Sequence, residues 1–273
     1  MLRRSFVFTL VALTAVVCAG KPAQTLRERP EDDPRARAER ARQVADAWNG
    51  SRAAASWGSG YHPMGEWSQL PVETATFALR TALPGAAPAS GRVTWSDGRS
   101  LTRPLLPAST AYEALSSVGG VGPQLAVTSM KLGTMTLPTS RGPATVPAWL
   151  FTVDGYATPI SRAAAVPSKF PGSLRASPTP VRFQGSQGST VTVVVPHGSC
   201  DDGVAVDIWE TPGSVVLTTR VVNPQPGPCT ADLAMEPVTV RLTSPLGTRA
   251  LLDAATGVPV PYGLPGGLSP SWS

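Results

Sequence analysis

The sequence predicts a mainly β protein with a short N-terminal helix: two packed antiparallel β lobes, sandwich-like or small-barrel-like. Three observations lead there. Short runs rich in β-branched residues recur from Val72 to Asp253. Turn signals separate them at close spacing, the pattern of sandwiches and small barrels. A helical period is clearest near the N-terminus. Proline and glycine number 29 and 26 of 273 residues, about a fifth of the chain. That stays below the roughly 25–30% typical of low-complexity disorder, so the joints belong to a packed body.

Residues 20 to 33 are polar, with Pro22, Pro30 and the run Glu31-Asp32-Asp33, and read as a flexible tether. A helix then starts with Asp33 as its cap and Pro34 in its first position. Ala41, Val44, Ala45 and Trp48 recur at helical spacing as one apolar stripe, and Asn49-Gly50 ends it. A short helix is marginal alone in water, so the stripe must dock on the body. The stretch to residue 70 is Gly/Ser-rich and carries Trp57, Tyr61, Met64 and Trp67. Two readings of these aromatics stand side by side. They are lids over the core, or Trp57, Tyr61 and Trp67 join Trp95 in a surface that binds a sugar or peptide.

Residues 71–166 read as a first β lobe, a meander of antiparallel strands. Val72 to Leu83 alternates loosely. Gly91 to Trp95 and Leu101 to Arg103 flank Ser96-Asp97-Gly98-Arg99, a hairpin signal because Asp-Gly tolerates positive φ. Ala111 to Ser117 reads as a turn or two of helix ended by Gly119-Gly120. Leu125 to Leu137 is a long strand with a kink expected at Gly133, and Thr139 to Gly142 turns the chain. Val146 to Val153 returns, with Pro147 restricting it to an edge or a bulge. Asp154-Gly155 turns again into Thr158 to Val166.

Residues 167–188 are a Pro/Gly-rich joint. Residues 189–263 are a second lobe, with strands at Ser189–Val195, Gly203–Trp209, Ser214–Val222, Val238–Leu242 and Arg249–Asp253. Residues 264–273 read as a flexible tail.

The opening MLRRSFVFTLVALTAVVCAG has the layout of an export signal, assigned to residues 1–19. Arg3 and Arg4 precede an apolar run from Phe6 to Val17, too short for the roughly 20 residues of a membrane-spanning helix. Cleavage after Ala19 suits an ordinary signal peptidase. Alternatively, Ala15-Val16-Val17-Cys18 resembles the lipobox of bacterial lipoproteins, in which the cysteine receives a diacylglycerol and anchors the chain to the membrane. Val17 departs from the small residue usual before that cysteine. Arg3-Arg4-Ser5-Phe6-Val7 also fits the core of a twin-arginine signal, on a very short n-region. Every reading places the folded part outside the cytoplasm, secreted or lipid-anchored to the outer face of the plasma membrane. Thiols oxidise there, and Cys18 leaves with the signal or is lipidated. Cys200 and Cys229 then remain as an even pair, expected to form a disulfide worth about 3–4 kcal/mol.

The net charge of +5 includes Arg3 and Arg4, so the mature chain is only mildly basic. Between Arg27 and Arg42 the cations are interleaved with Glu28, Glu31, Asp32, Asp33 and Glu39, a solvated helix face. No nucleic-acid partner is expected. Lysine is scarce (Lys21, Lys131, Lys169) while arginine and alanine abound, as in chains from GC-rich genomes.

The last lobe resembles uncharacterised secreted proteins and lipoproteins of actinobacteria. The residues that carry the likeness are Cys200 and Cys229, Val238 to Leu242, Pro245-Leu246-Gly247-Thr248-Arg249, and Leu252 to Gly257. Thr139 to Trp149 is similar to a stretch of the same proteins. The resemblance implies an extracytoplasmic β-rich protein with one bridge, and it implies no activity. Physically, Pro245-Leu246-Gly247 reads as a turn that buries Leu246. Asp253 and Thr256-Gly257 read as a second turn whose carboxylate takes backbone N–H bonds, with Arg249 in reach to pair with Asp253.

Motifs of catalysis are missing. The chain has two histidines, His62 and His197, and no His-x-x-x-His, His-Glu-x-x-His or Cys-x-x-Cys spacing, so no metal or cofactor is expected. No Gly-x-Ser-x-Gly elbow, Ser-x-x-Lys or phosphate loop occurs in place. The densest polar cluster is His197-Gly198-Ser199-Cys200-Asp201-Asp202. A reduced Cys200 beside His197 would be a nucleophile with its base, a role a bridge to Cys229 disables. Asp201, Asp202 and Asp207 are too few oxygens for a regular calcium loop. The leading expectation is therefore a non-catalytic cell-envelope protein that binds or scaffolds an envelope partner. The alternatives are an extracellular hydrolase whose carboxylates lie apart in sequence, and a recognition module presenting a rigid loop at Pro224 to Pro228.

Overall fold

Helix α1, Pro34–Trp48, begins where the Asp33 carboxylate accepts the Arg35 N–H at 2.9 Å and Pro34 opens the first turn. This computed structural model describes residues 33–69, 75–85, 89–116, 122–171, 181–224, 230 and 232–263. Ala41, Val44, Ala45 and Trp48 are the buried residues of α1, the stripe read from their spacing. A second helix, α2 (Arg52–Ser59), follows at once, capped by Ser51 Oγ on the Ala54 N–H at 3.0 Å. The sequence reading missed it because the flanking Gly and Ser hid the Ala53-Ala54-Ala55 run, a strong helix former.

The first lobe is one seven-stranded sheet. Its strands are β1 (Ser68–Gln69), β2 (Thr76–Leu79), β3 (Ser90–Trp95), β4 (Ser100–Pro104), β5 (Gln124–Leu137), β6 (Ala144–Val153) and β7 (Ile160–Ala163). Helix α3 (Ala108–Ser116) lies between β4 and β5 in sequence. The β3–β4 hairpin closes over Asp97-Gly98, with Gly98 at φ +84°. The pairs β5–β6 and β6–β7 are antiparallel, while β2 pairs β5 in parallel, a departure from a pure meander.

Strand β6 is central, not an edge, and Pro147 sits in the middle of it. Along one edge β6 pairs with β5. Along the other it pairs with β3 at Ala144 and Thr145, and with β7 from Ala148 to Phe151. Pro147 falls in the gap between these two partners. Its carbonyl accepts the Ala164 N–H at 2.8 Å, so its missing N–H faces that gap and costs β5 no ladder bond.

The irregularity expected at Gly133 occurs instead as a bulge between Val127 and Ser129. The extra residue flips the side-chain parity of β5. Leu125, Val127 and Met130 therefore share one cluster with Trp149, Phe151 and Val153, covered by Ala108, Ala111 and Leu115 of α3. Met135 and Leu137 join Val146, Ala148, Tyr61 and Trp95 in another. Gly133 pairs in register with Ala148, and a Cβ there would lie 2.5 Å from Leu150 Cδ1. Close packing, not a kink, calls for glycine.

The second lobe is a sandwich of two three-stranded sheets, not a closed barrel. One has the order β12-β9-β8, from Leu233–Arg241, Thr190–Gly198 and Arg182–Gln187. The other has the order β10-β11-β13, from Val204–Glu210, Ser214–Val221 and Ala250–Asp253, with β13 parallel to β11. Their facing residues, Val191, Val193 and Val195 against Val215, Leu217 and Leu251, form its core. The outer face of β11 and β13 receives α1: Val216, Ala250 and Leu252 pack on Val44, Ala45 and Trp48. Strand β8 lies within the stretch read as a joint. Its glycines read as punctuation, and pairing with β9 makes it a strand.

Cleft between the lobes

The aromatics singled out in the sequence do not form an exposed surface. Trp57, Tyr61, Trp67 and Trp95 are 4%, 0%, 3% and 3% exposed, which corrects the binding-surface reading. The large apolar area of each ring goes into the core. Trp95 Nε1 donates to Thr139 Oγ1 at 2.9 Å, and the Arg141 guanidinium sits 3.8 Å from the Trp95 ring centre. Trp57 stacks on His62 at 4.4 Å, with Phe170 edge-on at 5.7 Å. Trp57 borders a concavity.

That concavity is a cleft of about 550 Å³ where the two lobes meet. The N-terminal segment contributes Trp57, Met64 and Gly65, and the first lobe contributes the Pro138–Pro143 turn. The turn is held by the Thr139 N–H on the Gly142 carbonyl at 3.1 Å, with Gly142 at φ +93°. The second lobe contributes β8, the Pro245–Arg249 turn, Leu251 and Tyr262. Leu246 is 7% exposed, as its turn predicted.

Arg249 is the one charged side chain lining the cleft among the described residues. It pairs with Glu210 at 2.7 Å, not with Asp253, and also donates to the Ser244 and Pro245 carbonyls at 2.8 and 3.0 Å. The partner differs because Asp253 is spent locally. It accepts the Ala255 N–H at 2.9 Å and the Thr256 hydroxyl at 3.1 Å, closing the turn. Burial pushes the Asp253 carboxyl up, and these bonds and the Arg40 charge only partly offset it. At Glu210 burial also pushes upward, but the bonds from Arg249 and Thr243 win, and its pKa is lowered. Glu210→Ala is expected to cost about 1–3 kcal/mol by leaving Arg249 without its carboxylate, measured by urea unfolding.

The His197–Asp202 cluster lies at the end of β9. His197 Nδ1 contacts the Gly198 carbonyl at 2.9 Å, and its Nε2 lies 3.4 Å from Glu236 Oε2. Asp201 accepts the Gly198 N–H at 3.1 Å, and Asp202 accepts from Asn223 at 3.2 Å. These acids shape turns, and no group of three potential metal ligands occurs among the described residues. His62 is remote, 0% exposed in the core. Cys18 and the export signal, Cys229, most of the Pro224–Pro228 loop and the 264–273 tail lie outside the described residues.

Sequence reasoning missed the cleft as a whole. Its walls come from turns at residues 138–143 and 245–249 and from one polar edge strand, and their glycines were the only local signal. Comparison with protein-family models, with curated proteins and with solved structures gave no match.

Proposed function

We propose that this is an exported cell-envelope protein that binds a partner without transforming it, with the cleft between the lobes as its binding site. The observation that carries the reading is the chemistry of the lining. Backbone-rich turns, apolar side chains and hydroxyls dominate it, and its single charge among the described residues is already neutralised by Glu210. Such a lining suits recognition of a neutral ligand. Hydrolysis of a glycoside needs a pair of carboxylates facing the substrate. The carboxylate of Glu66, beside the cleft residue Tyr262, is held by that hydroxyl at 2.6 Å.

Export is supported by the leader-like first twenty residues. No helix among the described residues is long and apolar enough to cross a membrane. We carry both maturation routes forward: cleavage after Ala19, or a lipid anchor on Cys18. The likeness of the last lobe to secreted actinobacterial proteins is carried with them. The Cys200–Cys229 bridge is part of the same proposal. The Ser199 N–H donates to the Asp232 carbonyl at 3.1 Å, and its hydroxyl lies 3.4 Å from that of Thr230. Those contacts hold the neighbours of the two cysteines together. Intact-mass spectrometry of membrane and medium fractions should show the shortened chain, with or without diacylglycerol, at a mass two hydrogens below the reduced form. Full reduction should cost about 3–4 kcal/mol of stability.

Binding itself is tested with a photoreactive residue at Gly185, where an added Cβ meets nothing within 4 Å. On the exported chain it should capture an envelope component. The same residue at exposed Leu83 should not. Equal capture at both positions would overturn the cleft reading.

A further inference from the structure

We propose that the cleft takes an extended, uncharged stretch of polypeptide, which adds as a strand to the outer edge of β8. This rests on the cleft being the binding site and supplies the chemical class of what binds. Strand β8 ends the order β12-β9-β8, so among the described residues one of its edges has no sheet partner. That edge already accepts extended chain. The Phe183 N–H donates to the Pro261 carbonyl at 2.8 Å, and the Gly263 N–H donates to the Phe183 carbonyl at 2.9 Å. Together they form a parallel bridge between Phe183 and Tyr262.

Beyond Phe183 the same edge runs into the cleft, where Gln184, Gly185 and Ser186 line it. Gln187 pairs with Thr190 across a two-residue turn whose Gly188 has φ +56°. In such a hairpin the closing pair is hydrogen-bonded, so alternation points the Ser186 N–H and carbonyl outward, toward the cleft.

Space and chemistry agree with a strand. An added Cβ at Gly185 or Gly188 meets nothing within 4 Å. On the facing wall, Ser140 is 8% exposed and its hydroxyl has no partner among the described residues. Leu246, Leu251 and Met64 offer apolar contact for alternate side chains. Strand addition takes affinity from main-chain bonds and specificity from such pockets. With Arg249 already paired, a charged ligand would enter without a counter-ion. A sugar chain is the lesser fit, since the rings that line the cleft, Trp57, Phe183 and Tyr262, are themselves buried and present little open face as a platform.

The test uses the mature full chain and two probes. One is a pool of end-capped nonapeptides of Val, Leu, Thr, Ser and Gly. The other is a hexamer of N-acetylglucosamine. Amide hydrogen exchange is followed at residues 184–187. The peptide pool should slow exchange at Ser186 by at least about tenfold, and backbone N-methylated peptides should not. Ser186→Pro should weaken peptide binding by a similar factor. The N-methylated probe keeps the test decisive should that variant misfold. Protection by the sugar alone would overturn the polypeptide assignment and leave the cleft reading standing. No effect of either probe would overturn both. Equal protection by N-methylated peptides would overturn strand addition. Ser186 already protected, and released by deleting residues 264–273, would show the chain's own tail as occupant and overturn a partner in trans.

Discussion

Trp149→Ala should destabilise the protein by about 3–5 kcal/mol, the range for deleting a large buried aromatic. Trp149 is 2% exposed at the centre of β6, packed with Phe151, Ile160 and the α3 alanines. Its indole N–H also donates to the Leu106 carbonyl at 2.9 Å, the link between β6 and the segment before α3. Alanine leaves both a cavity and an orphaned carbonyl. Trp149→Phe keeps most of the volume and loses the bond, so about 1–2 kcal/mol is expected. Urea unfolding of the three proteins measures both numbers. A loss below about 1 kcal/mol for the alanine variant would mean that the core of the first lobe lies elsewhere.

Acidification should remove a comparable amount through one residue. Burial of His62 lowers its pKa from 6.5 to about 4; the Ser56 backbone contact opposes this and the Arg103 charge adds to it. The folded chain thus holds His62 neutral, stacked on Trp57. Between about pH 6.5 and 4 the unfolded chain binds a proton that the folded chain does not. Stability is full above 6.5 and is lost as pH falls through that window. At about 1.4 kcal/mol per pH unit the loss reaches roughly 3 kcal/mol. His62→Phe keeps a ring against Trp57 and has no such proton to bind. Urea titrations at several pH values should show a flatter acid limb in the variant. An unchanged limb would assign acid sensitivity to other groups.

Features whose physics is local were legible in the sequence. Asp33-Pro34 opened a helix because a carboxylate and a proline suit an N-terminus in any context. Asp97-Gly98 closed a hairpin and Thr139–Gly142 a turn for similar reasons. The apolar stripe of α1 was readable, but not the face of β11 and β13 that receives it. Strand β8 was not readable, because Arg182–Gln187 has too little apolar alternation to register without β9 beside it. The Arg249 partner was missed because the nearest acid in sequence, Asp253, was already engaged by its own turn.

The sequence by itself determined a β-rich body, its caps and turns, and the burial of Leu246, since φ preferences and side-chain period act within a few residues. Only the tertiary structure decided that Pro147 could stand in a central strand, that the four aromatics face inward, and that two turns and a polar edge enclose a cleft. Those outcomes depend on which segments meet across long separations in the chain, and no local preference encodes such a meeting.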